Sequence, residues 1–263
     1  APSGPIDLRP EIDTLVDFVV GAITSTTFVM GLEKLEVFEN EDTKIASVGS
    51  LTFGADTHQE NPRDVELRLR YSHEDLDAVI PDIGPLGSLV PTTASLELTG
   101  RQLPLEQMVR SGVETMALVL AEESGAELSP EDQQQLQMAM LEFGPGMMMM
   151  LEQAQAKLGI DTDLVSALSS LALAGELGID SNAVYGTTGS FNLSISDLPA
   201  MITLIESDPQ LAQYGELVKA FDAIAERDTA DGAARFAIDI NPDGTVMVNG
   251  HDAIAMSMEV LVE

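Results

Sequence analysis

Alternation of apolar and charged residues is the feature that most constrains how this chain folds. The alternation is strict in Val65-Glu66-Leu67-Arg68-Leu69-Arg70-Tyr71, and a period of two holds for most of the stretch from Leu35 to Tyr71. Successive side chains of a strand point to opposite faces, so the pattern predicts half-buried antiparallel strands with one wet face. The same period predicts further strands at 95–99, 171–179, 191–195, 236–240 and 254–262.

Helical spacing occurs between these predicted strands. Apolar residues recur every three or four positions over Leu105–Leu120, directly after Pro104. Further helices are predicted over Ser129–Gly159 and Asp208–Ile224, each with a capping residue and a proline at its start. Strands and helices in separate runs are typical of an α+β protein. We therefore predict a curved antiparallel β-sheet packed against three to four helices in a single domain, residues 1–263.

One local pattern occurs twice. Ser95-Leu96-Glu97-Leu98 is followed by Leu103-Pro104 and a predicted helix, and Ser190-Phe191-Asn192-Leu193 is followed by Leu198-Pro199 and a predicted helix. Two interpretations stay open. The chain contains two related halves, at about 33–128 and 129–263, or the two segments share a common local solution.

The charge balance excludes one class of partner. The chain has 44 Asp and Glu against 12 Lys and Arg, a formal net charge of −32, and 44% of its residues are hydrophobic. Such a surface repels phosphate backbones, so we expect no nucleic-acid binding. A solvated acidic surface in salty or extracellular water, a diffuse site for divalent cations and a docking surface for a basic partner all fit this balance. The absence of cysteine removes disulfides and thiolate nucleophiles, and with them any indication of the redox compartment.

No motif for catalysis or cofactor binding stands out. His58, His73 and His251 have no serine-elbow or Ser-x-x-Lys signature beside them, and neither a Walker loop nor a Gly-x-Gly-x-x-Gly turn occurs. We interpret the histidines as surface or turn residues and predict no catalytic residue and no cofactor. Acids are so abundant that a two-carboxylate hydrolase is kept as a third class of function.

One segment imitates the first half of a calcium loop. It runs from Asp239 to Thr245, but Gly250 stands where such a loop needs a bidentate acid. We interpret the segment as a hairpin turn and predict no metal site.

The methionines suggest a binding surface. They crowd more than one face of the Ser129–Gly159 helix, and flexible thioethers suit a groove that accepts irregular apolar shapes. The predicted ligand-binding residues are Met138, Met140, Phe143, Met147, Met148, Met150 and Leu151. A gap-filling core and a methionine-only copper(I) site are the other interpretations of the same run.

A resemblance adds a cellular context. The residues that carry it are the connector Gly87–Thr93, Leu96-Glu97-Leu98, Leu103-Pro104, Ala183-Val184-Tyr185-Gly186, Leu198-Pro199 and the stretch Asp243–Gly250, all within about residues 87–250. In their order these motifs resemble bacterial extracytoplasmic proteins, predicted periplasmic domains of unknown function that are similar in texture to the AsmA-like group. The resemblance implies long antiparallel strands, export to the periplasm and an envelope or lipid-related role, and it carries over no functional residue.

These observations lead to two hypotheses. In the first, the chain is a non-enzymatic extracytoplasmic protein that binds a lipid-like or other apolar small molecule in a methionine-lined groove. In the alternative, it is a structural or assembly subunit that docks its apolar surface on a partner protein. No stretch reaches the ~18 apolar residues that a membrane span needs, whereas proximity to a membrane is compatible with both hypotheses. The start at Ala1-Pro2-Ser3 fits signal-peptide removal and, equally, a trimmed chain.

Overall fold

A computed structural model describes most of the chain. The described residues are 9–24, 26–40, 43–61, 64–80, 83–123, 134, 146–209, 211–227 and 230–262. The chain divides into two compact units, each built from separate stretches of sequence. Unit 1 comprises Ala1–Thr27, Asp56–Leu67 and Gly100–Lys157, and unit 2 comprises Phe28–Ala55, Arg68–Thr99 and Leu158–Glu263.

Within the described ranges, twelve strands form one open sheet. They are β1 (Thr27–Asn40), β2 (Thr43–Asn61), β3 (Asp64–Glu74), β4 (Asp77–Ala78), β5 (Pro91–Leu103), β6 (Lys157–Ser166), β7 (Ser170–Ile179), β8 (Thr187–Ile195), β9 (Glu226–Arg227), β10 (Ala234–Ile240), β11 (Val246–Val248) and β12 (His251–Asp252). Their order is β1-β2-β3-β5-β6-β7-β8-β10-β11-β12, with β4 on β2 and β9 on β10. The sheet is mostly antiparallel, which confirms the prediction of an antiparallel sheet.

Six segments of the described chain are α-helical, more than the three to four predicted. They are α1 (Arg9–Thr24), α2 (Leu105–Glu123), α3 (described at 146–153), α4 (Leu198–Ser207), α5 (Gly215–Ile224) and α6 (Ala253–Val262). Short 3-10 turns occupy Gly84–Leu89 and Ala212–Tyr214. Both Leu-Pro segments join a strand to a helix as predicted, β5 to α2 and β8 to α4.

The predicted strand at 254–262 is wrong, because this segment forms helix α6. The carboxylate of Asp252 accepts hydrogen bonds from the N–H groups of Ile254 and Ala255, at 2.9 and 3.0 Å. This satisfies two donors that the first turn of a helix leaves free. Nearly every residue of α6 is apolar or small, so a helical spacing fits the sequence as well as a period of two does.

The predicted helix end at Gly159 is also wrong. Helix α3 ends at residue 153. Two residues later Gln155 adopts a left-handed φ of 55°, and the Ala156 N–H donates to the Leu151 carbonyl at 2.8 Å. This is the hydrogen-bond pattern of a Schellman cap, with glutamine in the position that glycine usually takes. Gly159 lies instead inside β6, where a Cβ would come within 3.5 Å of Thr99.

In unit 1, α1 and α2 pack against each other. Val16 of α1 is fully buried, and Arg110 of α2 donates a 2.6 Å hydrogen bond to Asp13 of α1. The apolar stripe predicted on α2 is not wholly buried, since Met116 and Leu120 are 65% and 57% exposed.

The core of unit 2 lies where helices cover the last strands of the sheet. The buried residues of this core are Ile195, Leu198, Ile202, Ala234, Phe236 and Val248. They come from β8, α4, β10 and β11, which the chain brings together through antiparallel pairing of β10 with both β8 and β11.

Candidate functional site

An apolar cavity lies in unit 2 between the sheet and two helices. The pairing places Phe236 of β10 opposite Leu193 of β8, and Ile238 opposite Val248 of β11. Side chains from α4 and α5 close the other side. The cavity measures about 380 Å³ and is partly open to solvent, and its lining consists of Leu193, Ile195, Leu198, Val218, Phe221, Phe236, Ile238, Val246 and Val248.

The chemistry of this lining is uniform. All nine side chains are Leu, Ile, Val or Phe, so none offers a nucleophile, a proton donor or a metal ligand. Ligand pockets in proteins typically measure ~300–1,000 Å³, and the cavity lies at the lower end of that range. The lining can therefore hold an apolar chain or ring, but it cannot fix a polar head.

An ion-pair cluster joins the two helices that cover the cavity. The ammonium of Lys219 on α5 donates to the carboxylates of Glu206 on α4 and Glu216 on α5. These hydrogen bonds, the one to Glu206 first, raise the pKa of Lys219 above its ordinary value. Gly215 allows the close approach of α5 to α4, because a Cβ there would lie 3.1 Å from the Glu206 side chain.

Asn249 ties α5 to the strands beside the cavity. Its side-chain oxygen accepts from the Ala237 N–H at 2.7 Å, and its amide nitrogen donates to the carbonyls of Ile224 and Arg235 at 2.8 and 3.0 Å. Its φ of 48° lies in the left-handed region, which asparagine tolerates better than most residues. The Asn249-Gly250 pair is typical of a turn, whereas no local pattern indicates the contact with α5.

The segment that imitates a calcium loop is a hairpin turn, as predicted. It joins β10 to β11 with Ile240 opposite Val246. The Asp243 carboxylate accepts hydrogen bonds from the Thr245 N–H and hydroxyl, at 3.0 and 2.7 Å. These bonds lower the pKa of Asp243. Within the described ranges, no cluster of three or more His, Asp or Glu residues is placed to hold a metal ion.

The predicted methionine site is described only in part. Met138, Met140 and Phe143 lie outside the described residues. Met147, Met148, Met150 and Leu151 lie together on α3 in unit 1, and each is half-buried. None of them lines the cavity of unit 2. The methionine-lined groove stays a prediction, and the apolar site that the structure does describe is a different one.

One of the three histidines is not a surface residue. His73 is 6% exposed, with its Nδ1 2.8 Å from the Tyr71 hydroxyl and its Nε2 3.2 Å from the Pro91 carbonyl oxygen. A carbonyl only accepts, so these partners assign the proton to Nε2 and make Nδ1 the acceptor for Tyr71. His58 and His251 are exposed, as predicted.

Comparisons with known proteins give no family for this chain: no family model, no curated protein and no solved structure matches it. None of the helices in the described ranges is long and apolar enough to cross a membrane.

Proposed function

We propose that this protein binds a lipid-like apolar ligand in the cavity of unit 2 and catalyses no reaction there. The observation that carries the proposal is the lining of nine aliphatic and aromatic side chains around about 380 Å³. The site offers contact area and exclusion of water, but no reactive group.

The energetics of an apolar cavity support a ligand. Side chains that line an unfilled apolar space lack contact partners on that side, and this lowers the stability of the fold. Water in this cavity would find no hydrogen-bond partner among the nine side chains. An acyl chain or another apolar group would replace the missing contacts and thereby stabilise the folded unit.

The charge of the chain narrows the ligand class. A net charge of −32 repels anionic headgroups at long range. We therefore propose an apolar ligand with a neutral or cationic head, such as a monoacylglycerol, in preference to a fatty-acid anion.

A fluorescence experiment tests the proposal. The chain contains no tryptophan, so Phe221→Trp places a single indole in the cavity lining. Titration with a brominated monoacylglycerol is expected to quench that indole saturably. In this background Val246→Phe fills the cavity and is expected to weaken binding by about tenfold or more. Val184→Phe is the matched control, because Val184 is 67% exposed and lies outside the lining.

The outcomes separate the candidate sites. The comparison is between the Phe221→Trp protein with and without Val246→Phe. Equal quenching in the two would show that the lipid does not occupy the cavity, and the proposal would fail. Met150→Gln is expected to leave the titration unchanged. A loss of binding in that variant would place the ligand at α3 instead, where the sequence predicted it. Circular dichroism of each variant establishes that the fold is retained.

Location and kinship belong to the same proposal. We propose a periplasmic protein related to the AsmA-like group, with a curved sheet and two related halves. The motifs within residues 87–250 and the acidic composition support this. Fractionation of the producing bacterium tests the location, and recovery in the cytoplasmic fraction would contradict it.

A further inference from the structure

Strand β1 exposes an unusual amount of apolar surface. It lies at one end of the order of described strands, and residues 26–39 are exposed on both faces. Seven large apolar side chains of β1 are between 38% and 65% exposed, namely Phe28, Val29, Met30, Leu32, Leu35, Val37 and Phe38. Contiguous exposed apolar residues on an edge strand mark a place where another chain can pair.

Among the described strands, β1 has a neighbour on one side only. Its inner edge faces β2, where a Cβ on Gly54 would lie 3.6 Å from the Phe28 carbonyl oxygen. Its outer edge meets no other described strand. Lys34 interrupts β1 with a left-handed φ of 53°, a break that limits uncontrolled pairing along an edge. The segment Leu35–Glu39 beyond this break is short and extended, and three of its five residues are apolar.

Charge decides which occupant fits this edge. Along β1 lie three acids, Glu33, Glu36 and Glu39, and one cation, Lys34, and the whole chain carries −32. Lys44 of the neighbouring β2 lies 3.6 Å from the Glu36 carboxylate, which leaves an excess of acids at this edge. A second copy would bring the same acids and the same net charge to the edge, which opposes self-pairing. A strand that carries lysine or arginine between apolar residues would offset these acids and be attracted from a distance.

We propose that the outer edge of β1, centred on Leu35–Glu39, pairs with an extended segment of a partner protein in which apolar residues alternate with Lys or Arg. The partner strand adds main-chain hydrogen bonds to β1. Its apolar side chains lie against Leu35 and Val37 on one face, and its cations approach Glu36 on the opposite face. This is recognition by strand addition. It is independent of the proposed lipid site, since no residue of β1 lines the cavity.

The test uses the full chain and three labelled twelve-residue peptides. The first alternates valine and lysine, the second alternates valine and glutamate, and the third is the first with two prolines in its centre. Fluorescence anisotropy is expected to show binding of the first peptide only, and salt is expected to weaken that binding. Val37→Lys adds a cation at a side chain that is 42% exposed, and it is expected to reduce affinity about tenfold or more. Val184→Lys adds the same charge at another exposed valine, and it is expected to change affinity less than about twofold.

Three results would overturn the inference. Equal binding of the proline-containing peptide would show that charge attraction alone is responsible, without strand pairing. Equal effects of Val37→Lys and Val184→Lys would place the peptide elsewhere. A dimer in sedimentation that Val37→Lys dissociates, together with no peptide binding, would assign the edge to a second copy.

Discussion

Replacing Asn249 is expected to destabilise unit 2 out of proportion to its modest burial. Its side chain makes three hydrogen bonds to backbone groups of two elements, β10 and α5, at 2.7, 3.0 and 2.8 Å. One of these bonds is the link from Ile224, the last residue of α5, to the sheet. Loss of that link should loosen the helix that supplies Val218 and Phe221 to the cavity.

The expected magnitude follows from the geometry. A protein hydrogen bond contributes a net ~0.5–1.5 kcal/mol, and two of the three bonds are exposed enough for water to replace them. Removal of the side chain should therefore lower the free energy of unfolding by about 2 kcal/mol in Asn249→Gly. Asn249→Ala should lower it by about 3 kcal/mol, because alanine must also adopt the left-handed φ at a cost of about 1 kcal/mol.

Urea unfolding followed by far-UV circular dichroism measures both values. Asn192→Ala is the matched control, because Asn192 is an exposed asparagine of β8 that lies opposite Ala237 of β10. We expect the control to lie within about 0.5 kcal/mol of wild type. If Asn249→Gly were as stable as the control, the three hydrogen bonds would contribute nothing net and the reasoning would be refuted.

Further changes test the strand contacts, the hairpin turn and the core. Gly175→Ala should lower the free energy of unfolding in urea by about 2 kcal/mol or more, because a Cβ would lie 2.2 Å from the Phe191 ring. Gly178→Ala is the control, since the nearest atom to its Cβ would be 3.8 Å away. Asp243 has a lowered pKa in the folded state, so its contribution to stability is complete above its unfolded pKa and is lost as pH falls through the folded pKa. Asp243→Asn should therefore flatten the decline of the urea midpoint on acidification. An unchanged decline would contradict this. Ile202→Ala should cost ~2–5 kcal/mol, because this α4 side chain is 8% exposed in the core, and a smaller loss in thermal unfolding would show that the core repacks.

Much of the fold could be predicted because alternation is a local property. Val65–Tyr71 has a period of two and forms part of β3, and Leu105–Leu120 has helical spacing and lies within α2. Prediction failed where two periods fit one segment. The residues of α6 are nearly all apolar or small, so the sequence between Ile254 and Val262 fits both a strand and a helix, and the cap at Asp252 decides between them.

The candidate site was less predictable than the fold. The methionine run was conspicuous in composition, whereas the cavity is lined by ordinary Leu, Ile, Val and Phe residues that any core contains. Nothing in the spacing of Leu193, Val218 and Phe236 indicates that they surround a common space. Their meeting depends on the pairing of β8 with β10 and on the position of α5 above them.

The sequence by itself determined the antiparallel strand pattern, the acidic surface and most of the helices, because each depends on neighbours within a few residues. Only the tertiary structure decided which apolar side chains are enclosed, which enclose a cavity and which remain exposed on the edge of β1. Burial depends on residues far apart in the chain. The same alternation of apolar residues therefore describes a covered strand such as β10 and an uncovered one such as β1.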